Sequence, residues 1–311
     1  MGNVLTEKQQ VLERWKQYFK EVLNNELTSE HTDRDIEIKI LNEDVELLPP
    51  TYNEVSNIIR KLKNNKASGP DNIVPELVKG GQKLKHRIHS LILMIWEKEE
   101  LPVDWENSTI CPIHKKGDRT QCINYRPITL LNVAYKIFAI TLCKKLTEIM
   151  EGKLGEYQMG FRPDRSTIDN IFILRQIYEK CHEYNIELHN VFTDFNQAFD
   201  SINRSTVNKV LREVQIPRKI IRMVNLVTQY IKARIKLNSE YTEKLEVKTG
   251  IRQGDPLSTI LFCTVMESLM KILEMRRNIS TRLKQVCVYA DDIVLVTRTE
   301  QALTNTFQKL K

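Results

Sequence analysis

Apolar residues recur at helical spacing near the start of the chain. Val11, Leu12, Trp15, Tyr18, Phe19, Val22 and Leu23 predict an amphipathic helix over residues 8–24. Residues 25–47 are polar and read as a linker, and Pro49 and Pro50 then interrupt regular structure. Thr51 with Glu54 has the form of a capping box, opening a helix whose apolar stripe is Val55, Ile58, Ile59 and Leu62. A basic Gly/Pro loop, "KNNKASGPDN", follows at 63–72. Pro75 opens the next segment, and Leu84, Ile88, Leu91, Ile92 and Ile95 predict a helix that ends before Pro102. "STICPIHKKGDR" (108–119) predicts a strand running into a basic turn. A long helix is expected after Pro127, through "LLNVAYKIFAITLCKKLTEIM", and another over 168–182.

The pattern changes further along. "HNVFTDFNQAF" (189–199) predicts a buried strand leading into a helix, and residues 233–249 a hairpin around Asn238 and Ser239. A helix follows Pro256, "CVYADDIVLV" (287–296) reads as strand–turn–strand, and 299–310 begin one more helix. Helices dominate the first half and strands with helices the second, an α+β chain. No internal repeat or low-complexity tract is present.

Composition narrows this only a little. The 311 residues suffice for two or three subdomains with real cores. A net charge of +7 leans mildly toward a polyanionic partner. The six cysteines share no C-x-x-C spacing, so a zinc site is not expected. "MGNVLTEKQQ" is not a signal peptide, and no apolar run approaches the roughly 18 residues of a membrane span. The expectation is an intracellular protein with reduced thiols and no membrane association, nucleus and cytoplasm both open. Gly2 and Thr6 match an N-myristoylation signal in part, with no polybasic second anchor beside them; chance occurrence is the simpler account.

The candidate chemistry begins with Asp291 and Asp292, adjacent acids inside an apolar strand-forming run. At ~4 Å and an effective dielectric near 20 two such charges repel by roughly 4 kcal/mol. A divalent cation removes that repulsion, and hard cations such as Mg²⁺ take carboxylates together with substrate phosphates. Asp194, at the end of another apolar strand, is the candidate third acid for a two-metal phosphoryl-transfer site. Alone, a "DD" in a turn is more often a solvated hairpin tip, and an Asp closing a strand is more often a helix cap. "TGIRQGDPLS" (249–258) is a polar Gly-rich loop before a helix; Gly250 and Gly254 permit close backbone approach to a ligand, or simply make the connection.

In order, "FTDFNQAFD", "GIRQGDPLSTILF" and "YADD" resemble the palm motifs of reverse transcriptases. Upstream, "KASGPDNIVPELVK", "PIHKKGDRTQCINYRPITLLN" and "YQMGFRPDRSTIDNIF" resemble fingers segments of the enzymes of non-LTR (LINE-type) retrotransposons. The resemblance runs from about residue 8 to residue 311. It implies a right-hand polymerase: helical fingers and an antiparallel-sheet palm, with the thumb missing. The implied spans are an N-terminal helix and linker (1–47), fingers (48–187) and an incomplete palm (188–311). The implied reaction is RNA-directed DNA synthesis, with RNA template, DNA primer and dNTPs as partners and two Mg²⁺ ions, or Mn²⁺, as cofactors.

Residue by residue, the resemblance makes Asp194, Asp291 and Asp292 the catalytic, metal-binding acids. Phe199 matches the aromatic that excludes a ribose 2′-hydroxyl, and also suits a core position. Gln253 and Gly254 match residues near the incoming nucleotide, and Arg126 a fingers arginine on the triphosphate. Arg162 and Arg165 are template-phosphate candidates, or structural partners of Asp164 or Asp169. Lys115 and Lys116 are candidates for the same template contact, or a solvated basic turn. The chain departs from the family pattern at Asn196, Ser68 and Thr259. The endonuclease, the next palm motif and the thumb are expected to be missing, which leaves a second reading: a catalytically inert retrotransposon remnant with at most nucleic-acid binding. An RNA-templated RNA polymerase is a further alternative, and Phe199 argues against it.

Overall fold

The computed structural model describes residues 4–24, 47–195, 197–273 and 286–310. The expected linker and the departure at Asn196 lie outside the described residues. The chain forms two compact units from interleaved segments, 1–146 with 199–258, and 147–198 with 259–311. Crossovers between them fall within helices α5 (Val133–Glu151), α7 (Ala198–Ser201) and α10 (Pro256–Ile272).

In the first unit, β1 (Asn107–His114) pairs antiparallel with β2 (Tyr125–Leu130) and parallel with β4 (Ile231–Leu237). β4 also pairs with β5 (Glu240–Tyr241) and β6 (Leu245–Val247). The expected hairpin is present: Leu237 faces Glu240 across Asn238 and Ser239, and Asn238 takes φ +55°. The predicted N-terminal helix is α1 (Lys8–Leu23), and it is no separate appendage. Its Trp15, Tyr18, Phe19 and Leu23 form one core with Ile110, Ile231, Ala233, Ile235, Leu245 and Val247.

The capping box at Thr51 forms as predicted and opens α2 (Tyr52–Lys61), which packs with α3 (Pro75–Gly80) and α4 (Gln82–Lys98). The stretch after Pro127 departs from expectation. Residues 125–130 are a strand, and the helix begins only at Val133. Proline is tolerated in that strand because β2 is an edge of its sheet. Pro112, its register partner, lies beyond Ile110, where the β1–β4 pairing stops. Helices α8 (Arg204–Glu213) and α9 (Arg218–Thr228) complete this unit and bury Val207, Val210, Leu211, Ile220, Met223 and Val224.

The second unit is built on an antiparallel sheet in the order β3 (His189–Asp194), β8 (Asp292–Thr297), β7 (Val286–Tyr289). A parallel bridge from Gln158 to Val288 continues it beyond β7. Val286, Val288, Ile293 and Leu295 are fully buried. Helix α6 (Thr167–Glu183) packs on β7, and α11 (Glu300–Gln308) on β8 and β3. β3 was expected to be buried, yet it alternates, with Phe192 67% exposed. Asn190, Phe192 and Asp194 share the exposed face, since an antiparallel sheet can leave one face to solvent.

Candidate active site

The acids come together through strand register. Asp194 closes β3 and lies directly opposite Asp292, the first residue of β8. Asp292 also pairs with Tyr289 of β7, so the β7–β8 loop is only Ala290 and Asp291. Residues directly opposed across antiparallel strands share a face, with Cβ atoms about 4.5–5.5 Å apart. Asp194 and Asp292 are exposed and Asp291 half-buried. Asp194, Asp292 and the adjoining Asp291 therefore cluster at one end of the three-stranded sheet.

The turn that carries Asp291 is strained and braced. Ala290 takes φ +57°, a conformation that a two-residue hairpin loop usually gives to glycine. A left-handed alanine costs about 1–2 kcal/mol. Gln158, which is buried, provides the brace: its Oε1 accepts from Ala290 N at 3.2 Å and from Gly160 N at 2.8 Å. Val288 N donates to Tyr157 O, and Met159 N donates to Val288 O, both at 2.9 Å. Asn170 Nδ2 donates to the same Val288 oxygen at 3.1 Å. Gly160 packs so closely that a Cβ there would collide with Ala290 N.

Arg162 and Arg165 belong to the same unit, and their ion-pair partners are neither Asp164 nor Asp169. Arg162 has a side chain only 3% exposed and pairs with Glu151 at 2.6 Å. It also donates to Gly155 O at 2.9 Å, and its buried Nε has no partner. In this conformation it offers no donor to a template phosphate. Arg165 pairs with Glu156 at 2.5 Å and keeps about a third of its side chain exposed. Asp169 instead caps α6, accepting from Ser166 N at 2.6 Å.

The nucleotide candidates gather in the first unit. The "GIRQGDP" loop is anchored on β2, where Thr129 N donates to Gln253 O at 2.7 Å. Gly254, at φ +103°, presses on the same residue: a Cβ there would stand 2.9 Å from Thr129 O. Arg126, three residues earlier on β2, is exposed, as are Lys115 and Lys116. On its other side the loop binds α7, with Ile251 N donating to Phe199 O at 2.9 Å and Gly250 N to Ile202 O at 2.8 Å. Arg252 points inward to Asp255 (2.9 Å), Val227 O (3.0 Å) and the Tyr135 hydroxyl. Burial pushes the Tyr135 hydroxyl well above its ordinary range, so it stays protonated and donates to Asp255 Oδ2 at 2.5 Å.

Two residues here carried no functional expectation. Gln158 showed no sequence signal beyond its place in "YQMGF". Asp200 could have been suspected as an acid following an apolar pair, "AFD". It is 4% exposed and accepts from Gln253 Nε2 at 2.7 Å. Burial raises its carboxyl to about 7, against the opposing effect of the Gln253 hydrogen bond.

Asp194 and Asp292 are opposed across strands and Asp291 adjoins them, and carboxylates are hard oxygen donors. Among the described residues no three His, Cys, Asp or Glu side chains are grouped closely enough to hold a metal ion. Among them also, no helix is long and apolar enough to cross a membrane.

Residues 113–311 match the family described as reverse transcriptase (RNA-dependent DNA polymerase). The chain belongs to this reverse transcriptase family. Among its relatives is the transposon TX1 uncharacterized 149 kDa protein of Xenopus laevis, 26% identical over 80% of this chain and 19% of that protein. The Pol polyprotein from the type-1 retrotransposable element R2 of Nasonia vitripennis is 23% identical, over 83% of this chain and 26% of its own length. The probable RNA-directed DNA polymerase from transposon X-element of Drosophila melanogaster is 25% identical over 72% and 25%. The chain thus spans about a fifth to a quarter of the length of these relatives. The apo telomerase structure from Candida tropicalis superposes with a TM-score of 0.50 at 13% identity, covering 81% of this chain and 50% of that one. That likeness concerns the fold, the right-hand polymerase arrangement.

Proposed function

We propose that this chain is the fingers and palm of an RNA-directed DNA polymerase of a mobile element, acting inside the cell and adding dNMPs to a DNA primer on an RNA template. The observation that carries the reading is the pairing of Asp194 with Asp292 beside the braced Asp291 turn, in a chain of the reverse transcriptase family. Fingers over 48–187 and palm over 188–311 are part of the same proposal.

Asp194, Asp291 and Asp292 would hold two Mg²⁺ ions. When bound, the ions lower the pKa of the primer 3′-hydroxyl and neutralise charge on the leaving pyrophosphate. The chain's own residues position the reactants. The β3–β8 register and the Gln158-braced turn fix the backbone positions that carry the carboxylates, which limits reorganisation during reaction. Phe199 occupies the space a ribose 2′-hydroxyl would need, selecting dNTPs. Gln253 and Gly254 contact the nucleotide, and Arg126 the triphosphate. Arg165, Lys115 and Lys116, all at least partly exposed, contact the template backbone.

Primer extension on an RNA template with Mg²⁺, using the 311-residue chain, tests this. Asp291→Asn should reduce extension at least about a hundredfold, as loss of a transition-state electrostatic contact does. Extension indifferent to Asp291→Asn would refute the assignment. RNA binding without any extension would favour an inert binding remnant.

A further inference from the structure

Asp200 is a buried carboxylate that the chemistry above leaves unused. It follows Phe199 on α7 and lies against the loop that carries Gln253. The contact is as close as glycine allows: Gly250 has φ +79°, and a Cβ there would stand 2.7 Å from Asp200 O. Arg204 fastens the same loop to the end of β6, donating to Gly250 O at 3.0 Å and Val247 O at 2.8 Å. A cavity beside the carboxylate is lined by Ile110, Thr129, Val247, Thr249 and Gln253. Thr249 Oγ1 is buried there without a partner.

The neighbouring cations are engaged elsewhere. Arg204 is spent on backbone carbonyls, and Arg252 on Asp255, Tyr135 and Val227 O. Among the described residues no ion pair reaches Asp200. Its carboxylate is turned to the one Gln253 amide.

We propose that Asp200 is a positioning residue for nucleotide selection, clamping Gln253 and tying its loop to the α7 turn that carries Phe199. The two residues assigned to the nucleotide then hold a fixed mutual geometry. The inference rests on the polymerase reading of those two residues. An amide donating to a carboxylate is roughly twice as strong as one donating to a neutral acceptor, so protonation loosens the clamp. Burial brings that protonation to about 7.

Two measurements test the clamp. In primer extension by the 311-residue chain, Asp200→Ala should raise the dNTP KM about tenfold or more, with a much smaller effect on kcat. It should also narrow discrimination against rNTPs. The wild-type KM should rise as pH falls through about 7. Asp200→Asn keeps a neutral acceptor, so its KM should be intermediate and independent of pH over that range.

The second measurement needs no turnover. The Gln253 side-chain amide signal in ¹⁵N-labelled chain, identified by its loss in Gln253→Ala, should titrate with a midpoint near the same pH. In Asp200→Asn it should not titrate. A Gln253 signal that ignores pH, or wild-type KM in both variants, would overturn the clamp. If the wild type extends no primer, the polymerase reading fails, and the amide titration still decides whether the clamp exists.

Discussion

Asp194 stands directly across from Asp292 in the β3–β8 register, a like-charge pair at a sheet end. Such pairs destabilise by a few tenths to about 1 kcal/mol, and a divalent cation reverses the sign of the effect. Asp194→Asn should therefore raise the melting temperature slightly in chelator. Added Mg²⁺ or Mn²⁺ should stabilise the wild type and leave the variant nearly unmoved. An equal response of both proteins to the metal would remove Asp194 from the site.

Phe199→Val should admit rNTPs, lowering dNTP preference at least about tenfold if the ring excludes the 2′-hydroxyl. A loss of folding in place of a loss of selectivity, seen by circular dichroism, would show the ring to be core only.

Gly160→Ala places a methyl against the Ala290 backbone. Overpacking of this kind costs about 1–3 kcal/mol. The damage should include the Asp291 turn, so metal-induced stabilisation should weaken along with the melting temperature. A variant with wild-type metal response and stability would show that the brace does not hold the turn.

The two arginines separate cleanly. Arg162→Ala removes a buried guanidinium that also donates to Gly155 O and should cost more than Arg165→Ala, which should cost less than about 1 kcal/mol. If Arg165 contacts template phosphate, its variant should bind RNA more weakly and lower the salt slope by about one. An unchanged slope would make Arg165 a partner of Glu156 alone.

Asp200 gives a stability profile opposite in sign to that of most carboxylates. Burial lifts it from 3.8 to about 7. Between those values the native state holds a proton that the unfolded chain has released, so stability falls as pH rises through that window and levels off above about 7. At about 1.4 kcal/mol per tenfold change in ionisation, the effect is bounded at about 4 kcal/mol. Asp200→Asn should melt higher than the wild type at pH ~8, the gap closing toward pH ~4. Parallel profiles would show that Asp200 is ordinary.

The amphipathic helices were legible because a 3.6-residue stripe needs no tertiary information: Trp15, Tyr18 and Phe19 announce α1, and Val55, Ile58 and Ile59 announce α2. The order of the motifs around Asp194 and Asp291 was enough to point to the reverse transcriptase family. β2 was hidden because "RPITL" runs straight into a strongly helical segment and its edge-strand context lies in β1. The exposure of Phe192 could not be read locally, since an apolar strand looks the same at an edge and at a centre. The partners of Arg162 and Asp200 depend on residues such as Glu151 and Gln253 that only the fold brings near.

The two-residue loop between Tyr289 and Asp292 also bears on how this segment can change over time. Side chains alternate faces along β8, so sliding this strand by one residue against its neighbours would turn Ile293 and Leu295 out of the core. Substitutions here can be graded in their effect, whereas a one-residue length change is harmless only where the turn or a bulge absorbs it. Copies of this sequence whose β8 is forced out of register should lose the fold, whatever acids they retain.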